Sequence, residues 1–246
     1  MNEILENDTN EIIIPKDSFV FIPLGGATGI GMNFFLYGYK GKWLVVDCGM
    51  GFPDDNMFGV ELVIPDFTYL QANKDKIRGV FLTHGHEDHI GAIPYVLSQI
   101  NVPVYGTRLS LGIIEGKLDE NPPPFEPELY TVEAGDVLNL GVFKAEFINV
   151  NHSIADACAI SLKTPVGVVF HTGDFKLDVS PIDGRMMDIT RMGEIGKAGV
   201  ELLLCESTNA ERSGYTLSER TVGNSFERIF TQYEDKRLII ATFSSN

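Results

Sequence analysis

The stretch Thr83-His84-Gly85-His86-Glu87-Asp88-His89 places three of the chain's five histidines within six residues. The candidate ligands are His84, His86, Asp88 and His89, and Gly85 permits a tight turn between the first two. Imidazole nitrogens with a carboxylate oxygen suit zinc, and manganese or iron are alternatives. Because the cluster contains no cysteine, the pattern favours an open, catalytic metal site over a closed structural one.

The residues around this cluster predict how it is held. Val80 to Thr83 is a short apolar run typical of a buried strand, and Ile90 to Ile100 carries apolar residues at helical spacing. Pro94 is compatible only with the first turn of a helix, so that helix is expected to begin near Gly91 to Ile93. The histidines and Asp88 are therefore expected on loop backbone, free to fold around an ion.

Other polar residues with metal-binding chemistry follow predicted strands elsewhere in the chain. Asp47 ends the run that starts at Trp43, His152 follows the β-rich segment that closes at Val150, and Asp174 comes shortly after a strand ending at Phe170. A carboxylate at the end of a buried strand needs partners, so Asp47 is expected to orient a metal ligand. His171 is expected to pack beside the site and not to bind the ion.

The rest of the chain alternates irregularly between strand and helix patterns. The glycine-rich loop over residues 25–31 resembles a phosphate-binding loop, but a strand follows it, which favours a turn between two strands. Strands are expected over 18–24, 33–39, 43–47, 102–105, 157–162, 166–170, 202–205 and 238–242, with further β-structure in 129–150. Helices are expected over 67–72, 107–118 and 216–233.

The motif His84-x-His86-x-Asp88-His89 resembles the signature of the metallo-β-lactamase fold. Asp47, His152 and Asp174 match the other motifs of that family, in the family's order. The resemblance implies an α/β protein, a four-layer αββα sandwich. It also implies that His84, His86, His152 and Asp174 hold one zinc ion, and that Asp88, His89 and the shared Asp174 hold a second. Asp88, His89 and Asp174 are then the expected catalytic residues.

Further stretches narrow the resemblance to the ribonuclease J family, across residues 18–246. These stretches are 24–33 with its glycines, His171-Thr172-Gly173-Asp174-Phe175-Lys176, Glu206-Ser207-Thr208-Asn209-Ala210 and Ala241-Thr242-Phe243-Ser244-Ser245-Asn246. One departure is Ala27-Thr28-Gly29, where the family carries an acidic residue. Members of the family carry a beta-CASP domain inserted in the metallo-β-lactamase domain, and Glu206 matches the acidic motif at the junction. The resemblance implies that Glu206, like Asp47 and His171, lies beside the metal ligands and supports them.

The resemblance implies a division of the chain and an activity. Residues 1–14 are expected to form an acidic tail, 15–210 the metallo-β-lactamase domain, incomplete at its C-terminus, and 211–246 the start of a truncated beta-CASP domain. The implied activity is hydrolysis of RNA phosphodiester bonds, as a 5′-3′ exonuclease, an endonuclease or both, with two zinc ions or with manganese. The family supplies another histidine ligand and a 5′-phosphate pocket from later segments, so this chain is expected to be weakly active or inactive.

Two other functions remain open. The same ligands serve metallo-β-lactamase-fold hydrolases of small esters, thioesters or lactones, because a fold does not determine its substrate. The chain could equally be a non-catalytic, metal-binding remnant that docks with a complementary C-terminal chain. Expected partners are therefore RNA, a second copy of the chain or that complementary chain.

Composition sets limits on these functions. The chain has 246 residues, 44% of them hydrophobic and 22% charged, which is typical of a soluble globular protein. No uninterrupted apolar run reaches the ~18 residues of a membrane span, and the acidic N-terminus lacks the positive segment of a secretory signal, so a cytoplasmic location is expected. Three widely spaced cysteines are expected to be reduced and buried. The net charge of −15 disfavours a long RNA-binding surface.

Overall fold

The computed structural model describes residue 15 and residues 17–242. The tail expected over residues 1–14 and the chain end after residue 242 lie outside the described residues. The described part is built on two β-sheets. The first sheet has the strand order β1-β2-β3-β4-β5-β6, formed by β1 (Phe19–Gly25), β2 (Phe34–Tyr39), β3 (Lys42–Val46), β4 (Ile77–Phe81), β5 (Val104–Gly106) and β6 (Leu129–Thr131).

The second sheet contains the remaining strands, in the order β11-β10-β9-β8-β7. They are β7 (Val137–Leu140), β8 (Phe143–Asn149), β9 (Cys158–Thr164), β10 (Gly167–His171) and β11 (Leu202–Leu204). Strands β7 to β10 pair antiparallel, whereas β11 lies parallel to β10. In the first sheet β1 to β3 are antiparallel, and β3 to β6 are parallel.

Six α-helices accompany the sheets in the described part of the chain. They are α1 (Thr68–Ala72), α2 (Glu87–Ile90), α3 (Ile93–Leu97), α4 (Arg108–Glu120), α5 (Ile189–Ala198) and α6 (Glu219–Gln232). Pro94 lies in the first turn of α3, as the sequence predicts. The helical turn of α2 was not expected, and it places Asp88 and His89 on helix and not on loop backbone. The N–H groups of His89 and Ile90 donate to the carbonyl of His86, which closes this turn.

Three apolar cores separate the layers, and alternation along the strands assigns side chains to them. In β2, Phe34 and Leu36 face a core shared with α3 and α4, whereas Phe35 and Tyr37 face the second sheet. A third core lies between the second sheet and Ile195 of α5. The order helix, sheet, sheet, helix is the four-layer αββα sandwich that the sequence predicts.

The strand directions bring the candidate site residues to one end of both sheets. Strands β3 and β4 are parallel, so Asp47 and His84 follow strand ends at the same edge of the first sheet. In the second sheet β8 and β10 both pair antiparallel with β9, so His152 and Asp174 also follow strand ends at one edge. The N–H of Cys158 donates to the carbonyl of Thr83 at 2.9 Å, which joins the two edges.

Two expectations about secondary structure differ from the structure. Residues Leu238 to Thr242 do not form the expected strand, because no described strand pairs with them and a strand exists only through its ladder. Helix α5 was not expected, because Gly193 and Gly196 lower its helix propensity. Helix α5 is stabilised by tertiary packing and not by propensity, because Ile195 and Met192 pack against the second sheet.

Candidate metal centre

Three imidazoles converge at the joined sheet edges. Nε2 of His84 lies 3.0 Å from Nδ1 of His86, and Nε2 of His152 lies 3.2 Å from the same nitrogen. A tetrahedral zinc ion with zinc–nitrogen distances of about 2.0–2.1 Å holds its ligand nitrogens about 3.3–3.4 Å apart. The two printed separations are close to that value, and all three ligand atoms lie within 4.8 Å of one another, which suits a divalent ion.

A carboxylate lies next to this triangle. Oδ2 of Asp174 is 3.7 Å from Nε2 of His152, and its Oδ1 is 3.4 Å from Nε2 of His89. His84, His89 and Asp174 form a second group whose ligand atoms lie within 4.8 Å of one another. Asp174 thus belongs to the second group and also lies next to His152 of the first.

Asp88 is close to the second group but is less tightly placed. Its Oδ2 lies 3.6 Å from Nε2 of His89 and accepts a hydrogen bond from Nδ2 of Asn33 at 3.3 Å. The same Asn33 nitrogen lies 3.0 Å from Nε2 of His89. The structure therefore brings together all six ligand candidates, His84, His86, Asp88, His89, His152 and Asp174.

The electrostatics of the cluster favour a cation. Burial lowers the pKa of His84 well below its ordinary value, and the neighbouring histidines lower it further. Burial also lowers the pKa of His152 to about 4. Burial alone would raise the pKa of Asp174, but its hydrogen bond from His89 and the surrounding imidazoles outweigh that effect and lower it. Neutral His84 and His152 beside an ionised Asp174 have the protonation states that metal ligands require. His89, whose pKa is raised, has to lose a proton to bind an ion.

Asp47 supports this cluster from behind. It is fully buried, and its backbone has a left-handed conformation with φ 59°. Its Oδ1 accepts the N–H of Thr83 at 2.8 Å, and its Oδ2 lies 2.7 Å from Nδ1 of His89. Burial lowers the pKa of His89, but Asp47 and Asp174 outweigh it and raise that pKa to about 10. The contacts agree with the orienting role expected for Asp47.

His171 is buried behind the ligands and does not belong to either group. Its Nδ1 lies 2.7 Å from the hydroxyl of Tyr37, and its ring packs against Phe35 at 5.2 Å between centroids. Burial lowers the pKa of His171 to about 4, so the ring is neutral. Its position is that of the packing histidine expected from the sequence.

Glu206 lies farther out. Its backbone N–H donates to Oγ1 of Thr172 at 3.2 Å, and its Oε2 accepts the N–H of Thr208 at 2.8 Å. The carboxylate therefore stabilises its own turn. Glu206 shares the wall of a cavity with Asp88, His89 and Asp174 but has no described hydrogen bond to them.

That cavity has a volume of about 630 Å³ and opens beside the second group of ligands. The glycine-rich loop between β1 and β2 forms one wall. Because β1 and β2 pair antiparallel, this loop is the predicted turn between two strands. Strand β11 and the residues after it form the opposite wall. Apolar side chains in the lining include Phe21, Ile30, Phe35 and Leu203.

Several residues that contact the ligands were missed in the sequence. Asn33 contacts Asp88 and His89, and Oγ1 of Thr83 lies 3.0 Å from Nδ1 of His84. Thr83 directly precedes His84, which could have suggested an orienting role. Asn33 carries no such signal, because it lies 55 residues from Asp88 in the chain.

Comparisons with known proteins agree with this geometry. The Metallo-beta-lactamase superfamily matches residues 27–202. A crystal structure of a protein of unknown function from Enterococcus faecalis V583 has a TM-score of 0.66 at 19% identity, covering 87% of this chain and 57% of that one, which supports the fold alone. No helix among the described residues is long and apolar enough to cross a membrane.

Curated relatives named Ribonuclease J are similar over most of this chain. The Synechocystis protein is 45% identical over 227 residues, covering 92% of this chain and 35% of the relative. A Helicobacter pylori protein is 43% identical, covering 94% and 34%, and a Thermus thermophilus protein is 39% identical, covering 94% and 42%. The chain thus spans about a third to two fifths of these relatives. With its fold, its histidine motif and its converging ligands, the chain belongs to the metallo-beta-lactamase superfamily.

Proposed function

We propose that this chain carries the metal centre of a ribonuclease that hydrolyses RNA phosphodiester bonds. The observation that carries the proposal is the convergence of His84, His86 and His152 beside Asp174, in a chain 39–45% identical to proteins named Ribonuclease J. Six potential ligands at one sheet edge provide room for two divalent ions. We propose zinc as the resident metal, because imidazole and carboxylate ligands suit it, with manganese as the alternative.

In this proposal, His84, His86, His152 and Asp174 hold one ion, and Asp88, His89 and the shared Asp174 hold the other. Bound divalent ions supply Lewis-acid chemistry: they lower the pKa of water to about 7 and neutralise charge that develops on phosphate oxygens. The chain supplies the orientation. Asp47 accepts a hydrogen bond from the Nδ1–H of His89, which directs Nε2 of that ring towards Asp174.

The cavity supports a nucleotide-sized substrate. Its apolar lining, with Phe21, Ile30 and Phe35, offers surface for a base. The lining also includes the candidate ligands of the second ion, Asp88, His89 and Asp174, beside which a phosphate group would bind. Among the described residues that line the cavity, none is lysine or arginine. We therefore infer that the ions themselves provide most of the attraction for phosphate at this site.

Two further points belong to the proposal. We place the end of the metallo-β-lactamase domain at residue 210, and its support is that all eleven described strands lie within residues 19–204. Residues 211–246 would then begin the beta-CASP domain. We also propose a cytoplasmic location, in keeping with an RNA substrate.

The test uses the purified chain of residues 1–246. Its metal content is measured by atomic absorption, and hydrolysis of 5′-monophosphorylated RNA is followed with and without added zinc or manganese. We expect slow cleavage that requires metal and is lost in His86→Ala. Cleavage that persists in His86→Ala, or a chain that binds no metal, contradicts the proposal, and rapid processive degradation contradicts the expected weak activity. A chromogenic ester hydrolysed faster than RNA would favour a small-ester hydrolase instead.

A further inference from the structure

Asn151 joins the two chain segments that carry His152 and Asp174. Its carbonyl accepts the N–H of Lys176 at 2.7 Å, and the two residues form an isolated antiparallel bridge. Asn151 directly precedes His152, and Lys176 follows Asp174 by two residues. This one bridge therefore connects ligands that come from different strands of the second sheet.

The side chain of Asn151 is fixed at both ends. Its Nδ2 donates to the carbonyl of Arg185 at 2.7 Å, and its Oδ1 accepts the N–H of Met187 at 3.0 Å. Asn151 is only 7% exposed, and the side chain of Met187 is buried in the core between the second sheet and α5. Because the amide uses a donor and an acceptor at once, its orientation and the backbone of residue 151 are both determined.

The other side of the bridge is also held. Nζ of Lys176 bonds to Oε1 of Glu219 and lies 3.8 Å from Oδ2 of Asp178. The Lys176 side chain is mostly buried, so its position is restricted. The backbone segments that carry His152 and Asp174, whose side chains lie 3.7 Å apart, are therefore joined through two anchored residues, Asn151 and Lys176.

We propose that Asn151 is a positioning residue for the metal centre, and that it sets His152 and Asp174 at the separation that one ion requires. This inference rests on the proposed metal centre and goes beyond it, because Asn151 itself offers no ligand atom: both polar atoms of its side chain are bonded to backbone. A residue of this kind changes metal affinity through the geometry of the ligands it holds.

Asn149 provides a matched control. It lies two residues earlier on the same edge, and its Nδ2 donates to the carbonyl of Met186 at 2.8 Å, in the segment that Asn151 also holds. Asn149 neither adjoins a ligand nor bridges to Lys176. Asn149→Ala therefore removes a bond to the same segment but leaves both side-chain bonds that anchor the residue before His152.

The experiment titrates the metal-free chain with cobalt(II) and records affinity and the visible absorption bands, which report ligand geometry. We expect Asn151→Ala to bind the first cobalt ion about 10–100-fold more weakly, with altered bands, and Asn149→Ala to match the wild type. Asn151→Asp keeps the acceptor for Met187 but loses the donor to Arg185, so we expect an intermediate affinity. This variant also serves if Asn151→Ala does not fold, which thermal unfolding of the metal-free proteins reveals.

Wild-type affinity and bands in folded Asn151→Ala, or the same change in Asn149→Ala, overturn the positioning role. If the wild type binds no cobalt, the metal centre is itself refuted, and the role of Asn151 with it. RNA hydrolysis does not enter this measurement. A positioning failure is therefore distinguishable from a failure of the proposed ribonuclease function.

Discussion

Oδ2 of Asp47 lies 2.7 Å from Nδ1 of His89, and both side chains are almost completely buried. The contact joins the end of β3 to helix α2, across 42 residues of sequence. A carboxylate at Nδ1 holds the proton on that nitrogen, so Nε2 is the nitrogen available to an ion. We therefore expect Asp47 to set the direction in which His89 binds an ion.

Asp47→Asn tests this relationship. Asparagine tolerates the left-handed backbone at position 47 and can still accept the N–H of Thr83. Its amide NH2, facing Nδ1 of His89, would favour the tautomer with the proton on Nε2, where it blocks an ion. We expect the second ion to bind about 10–100-fold more weakly, as measured by isothermal titration with zinc. An unchanged second binding event would show that Asp47 does not control the ring.

Position 49 requires glycine because the backbone of Asp88 passes close to it. A Cβ atom at this position would lie 1.6 Å from the carbonyl oxygen of Asp88. We expect Gly49→Ala to destabilise the protein by about 1–3 kcal/mol or more, because the backbone of Asp88 must move. Gly29→Ala is the control, since a Cβ there meets no atom within 4 Å. Urea denaturation of both variants measures the difference, and equal stability would contradict the packing described here.

Glu146 and Arg191 should make stability depend on pH. The hydrogen bonds from Arg191, which join β8 to α5 at 2.6 and 2.9 Å, outweigh burial and lower the pKa of Glu146. Because the pKa is lower in the folded protein, the pair stabilises the fold above the ordinary glutamate pKa of about 4.3 and loses this effect as pH falls through the folded pKa.

The corresponding variant is Glu146→Gln. We expect it to unfold at a slightly lower urea concentration than the wild type at neutral pH, and we expect the two midpoints to converge in acid. The effect is small because Arg191 is partly exposed. Glu194→Gln, which alters a more exposed partner of the same arginine, should change the midpoint less. If the difference between the urea midpoints of the wild type and Glu146→Gln stays constant with pH, this ion pair is not the cause of the difference.

The three cysteines should differ in reactivity. Burial raises the pKa of the Cys158 thiol to about 12, and burial followed by the charge of Asp47 raises that of Cys48 well above its ordinary value. Cys205 is exposed at the cavity, which differs from the expectation that all three are buried. Alkylation of the native chain at about pH 8 should therefore label Cys205 alone. Rapid labelling of all three before unfolding would contradict the structure.

The sequence predicts the histidine-rich loop and the strand ends because both are local patterns. Asp47, His152 and Asp174 each follow an apolar run. Neighbouring parallel strands end at the same edge of a sheet, and so do two strands that both pair antiparallel with the strand between them, so these residues come to one edge. The sheets and the convergence of ligands follow from that regularity. The separation of α2 from α3 is harder to predict from the sequence, because it depends on where a few hydrogen bonds to His86 form.

Two of the supporting residues, Asn33 and Asn151, could not be read from the sequence. Asn151 acts through Arg185 and Met187, more than 30 residues away, and Asn33 acts through Asp88 and His89. A single asparagine before a strand or a histidine is common in many loops. Only the folded structure distinguishes an asparagine that supports a candidate ligand from an ordinary loop asparagine. Cys205 similarly follows an apolar run, but β11 is a short edge strand that leaves it exposed.

Anomalous X-ray scattering from crystals of the chain grown with zinc tests the proposed metal centre most directly. We expect one peak within bonding distance of Nε2 of His84, Nδ1 of His86 and Nε2 of His152, and a second peak between Asp88, His89 and Asp174. Zinc found only at other positions, with the histidine cluster free of it, would contradict the metal centre and the hydrolytic function proposed from it.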